Sequence, residues 1–369
     1  MGYVAVMGGQ EAIKASHDLT QYFRLRHASG SLEVRAIESQ LRLLVDRVMS
    51  EAGFYAPAYA ALAIKQAEGD GYEAAFLLRA YRSTVPRNHV SLPLDTQDMR
   101  IIRRISSAFR DIPGGQFIGP SFDYAHRLLD FDLIHELPEG IRRIIERFEG
   151  MEESLVLARI PRISDLLRTE SLLASPEPVS EEEVLFDITR RKLTFPAPRS
   201  ARLQTLARGE TGAMVALAYS SMRGYGAVHP TIGELRVGYC ALVIPYPLGY
   251  GDDDSLYLGE ILMTEVESIN GFVHNHGSEV IQFVLGYGLS FGQNEVKSIA
   301  MSILDRSVDI KGSQPAQDEE YVLSHIDSME SMGFVSHLKL PHYVTFQSEL
   351  DRLRQAQTAK LRDEQEVEP

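Results

Sequence analysis

The chain has a single cysteine, Cys240, among its 369 residues. One thiol cannot form a disulfide within the chain, nor can it hold an iron–sulfur cluster, which takes four thiolates. No apolar run is long enough to span a bilayer. The N-terminus lacks a basic region followed by an apolar stretch, so no secretory signal is expected. The sequence therefore predicts a cytoplasmic protein in a reducing compartment, with no membrane partner.

Basic residues are too few to balance the acidic ones. The chain has 37 lysines and arginines against 51 aspartates and glutamates, which gives a net charge of −14. Such a chain repels polyanions at long range, so nucleic acid is not expected as a partner. Phosphate groups of small molecules can still bind, because local arginines or backbone amides hold them within an acidic protein.

A proline-rich stretch divides the chain into a helical part and a mixed part. Helical spacing of apolar residues prevails before it, whereas strands and helices alternate after it. The sequence therefore predicts an α+β fold with a mostly helical domain over residues 1–173 and a linker over 174–200. Residues 201–347 are predicted to form a domain of mixed antiparallel sheet and helices. Residues 348–369 are predicted to form a charged helix and a disordered acidic tail.

Apolar spacing also predicts individual elements. Alternation predicts strands at 235–243, at 256–269 and from 280 to 291, and a 3.6-residue period predicts a helix after Asn294. Helical spacing predicts a further helix over 101–109. Its other face would carry four arginines, Arg100, Arg103, Arg104 and Arg110. Such a face is solvated, pairs with acidic residues, or meets an anionic ligand or an acidic partner chain.

Asp123, His126 and Asp130 form the first candidate site. If their segment is helical, the three lie at i, i+3 and i+7, along one stripe. A carboxylate–imidazole–carboxylate stripe can carry acid–base chemistry, so these three are candidate catalytic residues. The same pattern also occurs in capping and surface pairs, and both interpretations stay open.

The segment from Gly286 to Asn294 is a candidate phosphate-binding site. Gly286 and Gly288 interrupt a predicted strand, and Asn294 caps the next helix. Glycines at a strand end that faces a helix N-terminus suit an anionic group. A packing role for the two glycines explains them equally well.

His337 and His342 form the candidate metal site. Pro341 disfavours helix for the residue before it, so this segment is predicted to be extended. On an ideal strand a separation of five places the two side chains on opposite faces, so the chain must bend at Leu340–Pro341 for them to converge. Imidazole suits zinc, which takes three or four protein ligands, and this pair alone is incomplete. The alternative is two surface or half-buried histidines that flank a turn.

Longer segments, in chain order, carry a family resemblance. They are Asp111-Ile-Pro-Gly-Gly-Gln116, Phe122-Asp-Tyr-Ala-His-Arg-Leu-Leu-Asp-Phe131, His229-Pro-Thr-Ile-Gly-Glu-Leu-Arg-Val237, Tyr257-Leu-Gly-Glu-Ile261, Leu285-Gly-Tyr-Gly-Leu-Ser-Phe-Gly-Gln-Asn-Glu295, Pro315-Ala-Gln-Asp-Glu-Glu-Tyr-Val-Leu-Ser-His325 and His337-Leu-Lys-Leu-Pro-His342. Together they resemble the I-subunit family (PhnI) of the bacterial carbon–phosphorus lyase core complex. The resemblance extends over nearly the whole chain, to about residue 347.

This resemblance implies a reaction, a cofactor and partners. The implied transferase reaction displaces adenine from C1′ of ATP, used as Mg-ATP, with an alkylphosphonate oxygen and gives ribose 1-phosphonate 5-triphosphate. Water can replace the phosphonate, which is nucleosidase chemistry. The implied partners are the G, H and J subunits, with ABC-type ATPase subunits as further candidates. The resemblance also implies that His337 and His342 contribute to a Zn²⁺ site shared with the J subunit.

Two other functions stay open from the sequence alone. In the first, the chain is a non-catalytic scaffold whose helical half and arginine face bind partner subunits. In the second, it is a stand-alone metallohydrolase, which would need three metal ligands from this one chain.

Overall fold

A computed structural model describes residues 9–149, 159–173, 185–224, 230–249, 254–274 and 281–366, and the statements below concern these residues. They fall into two units, Gln10–Asp327 and the C-terminal residues from Ser328. The first unit contains residues from both sides of the predicted linker at 174–200. Residues 174–184 of that linker lie outside the described part of the chain.

The first unit is an antiparallel sheet with helices, so the predicted α+β class is confirmed. Four strands lie in the order β1-β2-β3-β4, and each neighbouring pair is antiparallel. The strands are β1 (Arg100–Ile105), β2 (Thr231–Pro245), β3 (Ser255–His274) and β4 (Ile281–Phe291). The helices of this unit are α1 (Gln10–Leu25), α2 (Val34–Gln40), α3 (Arg42–Ala52), α4 (Pro57–Gln66), α5 (Gly71–Arg82), α6 (Pro138–Phe148), α7 (Ile163–Thr169), α8 (Arg199–Ala207), α9 (Thr211–Tyr219), α10 (Glu295–Ser307) and α11 (Glu319–His325).

The second unit has two described helices, α12 (Ser328–His337) and α13 (Tyr343–Glu366). Helix α13 extends over most of the stretch predicted to form a charged helix and a disordered tail, and the last three residues lie outside the described chain. Among the residues that the structure describes, no helix combines the length and the apolar character needed to cross a membrane.

Local sequence signals account for many of the helix ends. Asp70 caps α5, because its side chain accepts hydrogen bonds from the amides of Tyr72 and Glu73. Gly53 ends α3 with a left-handed backbone, φ 61°, which glycine adopts without a steric cost. Pro57 occupies the first turn of α4, where its missing N–H is not needed.

The main apolar core lies around α8, α9, α10 and α11. Its fully buried side chains come from all four helices and include Leu206, Met214, Leu304 and Val322. Helix α10 also packs against the sheet, where Gly286 and Gly288 of β4 leave room for its backbone. This close approach fixes the position of α10 on the sheet.

The predicted helix over residues 101–109 is wrong, because residues 100–105 form strand β1. The strand pairs with β2, with Arg104 opposite Arg236 and Ile105 opposite Leu235. The predicted arginine face does not exist, since Arg103 and Arg104 are buried and Arg110 is exposed. Pairing with a distant strand outweighs the local helical spacing here.

Candidate functional site

The histidine pair lies where α12 ends and α13 begins. Three residues form a turn after α12, in which the amide of Leu340 donates to the carbonyl of His337 at 2.9 Å. Pro341 follows the turn, and α13 starts directly after His342. The prediction of an extended segment is therefore wrong, because the backbone forms a helix, a turn and a second helix. The bend expected around Leu340–Pro341 is present.

This bend brings the two imidazole rings together at the surface. Their centroids are 5.1 Å apart, with the ring planes at 56°. The side chain of His342 is exposed, and that of His337 is half-buried. Nδ1 of His337 contacts the carbonyl of Phe334, and Nδ1 of His342 contacts that of Leu340 at 2.7 Å. A carbonyl only accepts hydrogen bonds, so each Nδ1 is the donor, and a neutral imidazole in this tautomer carries its lone pair on Nε2.

This arrangement suits metal ligation by two imidazoles. Ligating histidines commonly donate their second ring N–H to a carbonyl or carboxylate, which orients the ring. Within the described residues, no group of three or more histidine, cysteine, aspartate or glutamate side chains could hold a metal ion. Cys240 is buried in β2, and burial raises the pKa of its thiol to about 12, which disfavours the thiolate that metals bind. The donor set thus fits half of a tetrahedral zinc site.

The structure does not form the predicted stripe of Asp123, His126 and Asp130. Residues 122–130 contain a turn and irregular backbone rather than a helix, and Arg127 has a left-handed φ of 55°. Asp123 forms an ion pair with Arg103, and Asp130 accepts a hydrogen bond from the amide of Asp132 at 3.0 Å. Among the described contacts, no hydrogen bond or ion pair joins the three side chains to one another. Their catalytic role stays a prediction from the sequence.

Gly286 and Gly288 serve close packing of strand β4 against helix α10. A Cβ atom at Gly286 would lie 1.9 Å from the carbonyl oxygen of Ser302, and one at Gly288 would lie 2.0 Å from that of Ser298. Both glycines lie within the β4 ladder, so the premise that they face the helix N-terminus is wrong. Asn294 occupies the N-cap position, but its side chain donates to two carbonyls instead of accepting from the helix amides. Phosphate binding at these residues stays a prediction.

The sequence reasoning did not find a layer of buried ion pairs on the sheet. Arg104 of β1 donates to Glu234 of β2 at 2.6 Å, and both side chains are buried. Arg236 pairs with Glu265 of β3, which also accepts from Thr96 and from Tyr287. The available signal was charge within predicted strands, at Arg236, Glu265 and Glu267, and at Glu234 directly before one of them.

Two carboxylates of this layer have pKa values that move in opposite directions. Burial acts to raise the pKa of Glu265, but the charges of Arg236 and Arg162 outweigh it and hold that pKa below its ordinary value. Burial raises the pKa of Glu267, which lies two residues along the same strand. Glu265 is therefore the charged carboxylate of the two, and Glu267 is the one that binds a proton more readily.

A groove of about 500 Å³ lies between helices α2 and α3 and the start of α4. Its lining includes Arg35, Arg42, Asp46 and Tyr55. Arg42 donates to the side chain of Gln293, and burial raises the pKa of Asp46. The groove therefore lies next to the last residues of the predicted phosphate segment, but it contains neither Gly286 nor Gly288.

Lys297 is a further buried titratable group that the sequence did not indicate. It lies in the first turn of α10 and donates to the hydroxyl of Ser50 at 2.7 Å. Burial lowers its pKa to about 7, while Glu51 and Glu210 act to raise the pKa, and Arg79 and Arg47 act to lower it. These charges come from α3, from α5 and from the N-cap of α9.

This lysine predicts how stability changes with pH. The folded-state pKa lies below the ordinary value, so between about pH 7 and pH 10 the unfolded chain binds a proton that the folded chain lacks. Stability therefore rises with pH in this window, by about 1.4 kcal/mol per unit from this group. We expect Lys297→Met to abolish that part of the rise, measured by urea unfolding at pH 7 and pH 9.

The matched control is Lys192→Met, which replaces an exposed lysine. Its stability should follow that of the unmodified chain at both pH values. If the free energy of unfolding changes equally between pH 7 and pH 9 in Lys297→Met and in the unmodified chain, the lysine is not the titrating group.

Comparison with known proteins places the whole chain in one family. The family model for the bacterial phosphonate metabolism protein (PhnI) matches residues 2–360. The alpha-D-ribose 1-methylphosphonate 5-triphosphate synthase subunit PhnI of Escherichia coli (strain K12) is 46% identical over 362 residues, which cover 96% of this chain and 98% of that protein. The protein of the same name from Rhizobium meliloti (strain 1021) is 45% identical over 359 residues, covering 95% and 94%. HtxH of Stutzerimonas stutzeri, which has a C–P lyase subunit name, is 51% identical over 366 residues, covering 97% and 96%. The chain belongs to the PhnI family of bacterial phosphonate metabolism proteins.

Proposed function

We propose that this chain is a subunit of a carbon–phosphorus lyase complex and takes part in replacing the adenine of ATP with an alkylphosphonate. An oxygen of the phosphonate forms a bond to C1′ of the ribose, and the C1′–N9 bond breaks. The electron pair of that bond leaves with adenine, which takes up a proton. The products are free adenine and ribose 1-phosphonate 5-triphosphate. The name of two relatives, a synthase subunit for alpha-D-ribose 1-methylphosphonate 5-triphosphate, supports this reaction.

The observation that carries the proposal is the histidine pair, whose ring centroids lie 5.1 Å apart and whose Nδ1 atoms each contact a carbonyl. His337 and His342 would hold a zinc ion together with ligands from a partner chain, for which the J subunit is our candidate. A bound zinc ion supplies Lewis acidity that can polarise an oxygen of the substrate. The protein's own contribution is orientation, because the carbonyls of Phe334 and Leu340 each hold one ring through its Nδ1 and leave Nε2 as the nitrogen for the metal.

Other parts of the reaction need further groups. Developing positive charge on the ribose must be stabilised, the triphosphate needs cationic partners, and adenine needs a proton donor. Asp123, His126 and Asp130 remain our sequence-based candidates for proton transfer, and the segment from Gly286 to Asn294 remains one for phosphate binding. The proposed complex contains the G, H and J subunits, with ABC-type ATPase subunits as further partners.

The reaction is tested by product analysis with the assembled complex. We expect a complex of this chain with G, H and J to release free adenine from Mg-ATP and methylphosphonate, together with the ribose phosphonate triphosphate. The control omits methylphosphonate, and adenine then appears only with ribose triphosphate from attack by water. Formation of ADP without adenine would show that the proposed reaction is wrong.

A second candidate function is that of a scaffold within the same complex. The observation that favours it is a long surface of uncovered apolar side chains over residues 124–149. A complex that assembles normally but turns over at an unchanged rate when His337 is replaced would support the scaffold.

A further inference from the structure

Residues 124–149 form an arm whose side chains are almost all exposed. Only Gly140 in this stretch is partly covered. Eleven of its exposed residues are large and apolar, and their exposed fractions run from 45% at Ile141 to 83% at Leu129. They are Tyr124, Leu128, Leu129, Phe131, Leu133, Ile134, Leu137, Ile141, Ile144, Ile145 and Phe148. Large apolar side chains left exposed this densely along one segment indicate an interaction site.

The arm has regular structure although nothing within the described residues covers it. A short 3₁₀ helix spans Phe131–His135, with Asp130 as its cap. Helix α6 follows, with Pro138 in its first turn, an acidic residue at its start and Arg147 at its end. Its apolar residues Ile141, Ile144, Ile145 and Phe148 lie at i, i+3, i+4 and i+7, so they share one face.

The chain just before the arm is fixed to the sheet. Arg103 of β1 donates to the carbonyl of Ile118 and forms an ion pair with Asp123. Gln293, at the start of α10, donates to the carbonyl of Pro120 at 2.9 Å. The arm therefore begins at a defined place on the first unit.

We propose that this arm binds an apolar groove on a different protein chain of the complex. The i, i+3, i+4, i+7 pattern of α6 is the one that amphipathic helices use to enter such grooves. Covering eleven side chains at roughly 100 Å² each would bury on the order of 1,000 Å² on this chain, whereas a standard interface takes about 800 Å² per partner. An interface of this size suits a permanent subunit contact.

Charge selects a different chain over a second copy and over a lipid surface. The arm has six carboxylates against four arginines, and the whole chain has a net charge of −14. Two copies of this acidic chain would repel each other at long range, and an anionic membrane surface would repel the chain in the same way. The partner that fits is a protein whose groove is apolar and whose rim is basic. This inference depends on membership of a multisubunit complex and not on the proposed ribosyl transfer.

The first test replaces the apolar face of α6 in the full chain co-produced with G, H and J. We expect the double variant Ile144→Glu and Phe148→Glu to reduce the amount of partner subunit purified per chain at least tenfold. Both side chains are more than half exposed, so the melting temperature of the isolated chain should stay unchanged. Val90→Glu is the control, because Val90 is 72% exposed and lies outside the arm. Normal assembly of the double variant would overturn the proposal.

The second test measures accessibility without adding charge. The sole native cysteine, Cys240, is buried, so Ile144→Cys provides one accessible thiol. We expect its reaction with a maleimide to slow at least tenfold in the assembled complex, with Val90→Cys unaffected. Equal rates in the free and assembled chain would overturn the proposal. So would concentration-dependent protection of the chain alone, which indicates a second copy, or protection by phosphatidylglycerol vesicles, which indicates a lipid surface.

The outcomes also separate this inference from the proposed reaction. A complex that protects Ile144→Cys but releases no adenine would contradict the reaction and support the docking surface. A complex that releases adenine while the thiol stays fully reactive would support the reaction and contradict the docking surface.

Discussion

Replacing either His337 or His342 with alanine should remove most of the zinc from the assembled complex. In the proposed site each imidazole is one of two metal ligands from this chain, since the described residues contain no larger group of candidate ligands. Loss even of a residue that merely orients a ligand commonly weakens metal binding by about 10- to 100-fold. We therefore expect zinc per complex to fall at least about tenfold in each variant, measured by elemental analysis after dialysis against zinc-free buffer.

His325→Ala is the matched control for this measurement. His325 is exposed, and its Nδ1 contacts the carbonyl of Tyr321 at 2.6 Å, as the Nδ1 atoms of the pair contact theirs. Its ring stacks on Tyr321 instead of meeting a second histidine. Zinc content should be unchanged in this variant. If zinc stays stoichiometric in both His337→Ala and His342→Ala, the two histidines are not zinc ligands and are only residues that flank a turn.

The proposed sharing of the zinc ion with a partner chain also predicts how the metal content responds to assembly and to acid. The isolated chain should retain little zinc, because two imidazoles leave two positions of a tetrahedral ion without protein ligands. Ligation requires the lone pair on Nε2, and protons compete for it, so zinc should leave the complex as the pH falls. Both expectations are read from metal content and do not depend on catalytic turnover.

Local periodicity explains why the second half of the fold was predictable. Strands β2, β3 and β4 and helix α10 follow alternation and 3.6-residue spacing that are visible within short windows. The same reasoning gave a wrong prediction for strand β1. Ile101 and Ile105 have helical spacing, whereas the strand depends on pairing with β2. That partner lies more than a hundred residues away, and no local pattern reveals it.

The candidate sites also differ in how much of each one the local sequence could predict. The candidate pair His337 and His342 could be identified from the sequence, but the helix–turn–helix that brings their rings together could not. The Asp123 to Asp130 stripe required a helix, which the left-handed backbone of Arg127 interrupts. In the sequence, Gly286 and Gly288 fit an anion-binding site and a packing contact equally well. The position of α10 against them shows the packing contact.

The buried pair of Arg104 and Glu234 predicts a large change in stability. Arg104 is fully buried, and besides Glu234 its guanidinium donates to carbonyls of Pro113, Gly115 and Pro161. Glu234 in turn accepts from the amide of Ile163 at 3.0 Å. The pair thereby ties β1, β2 and two loops together. Arg104→Met would leave a buried carboxylate without its cation, which typically costs about 3–5 kcal/mol.

We expect chemical denaturation to show a loss of that size in the free energy of unfolding for Arg104→Met. Arg110→Met is the control, because Arg110 is almost fully exposed and its ion pair among the described residues is with its exposed neighbour Asp111. Its loss should cost under about 0.5 kcal/mol. The double variant Arg104→Met and Glu234→Leu should recover much of the loss, since removing both charges removes the uncompensated one. If Arg104→Met costs less than about 1 kcal/mol, or if the double variant is no better than the single one, the pair does not hold the two strands together as inferred.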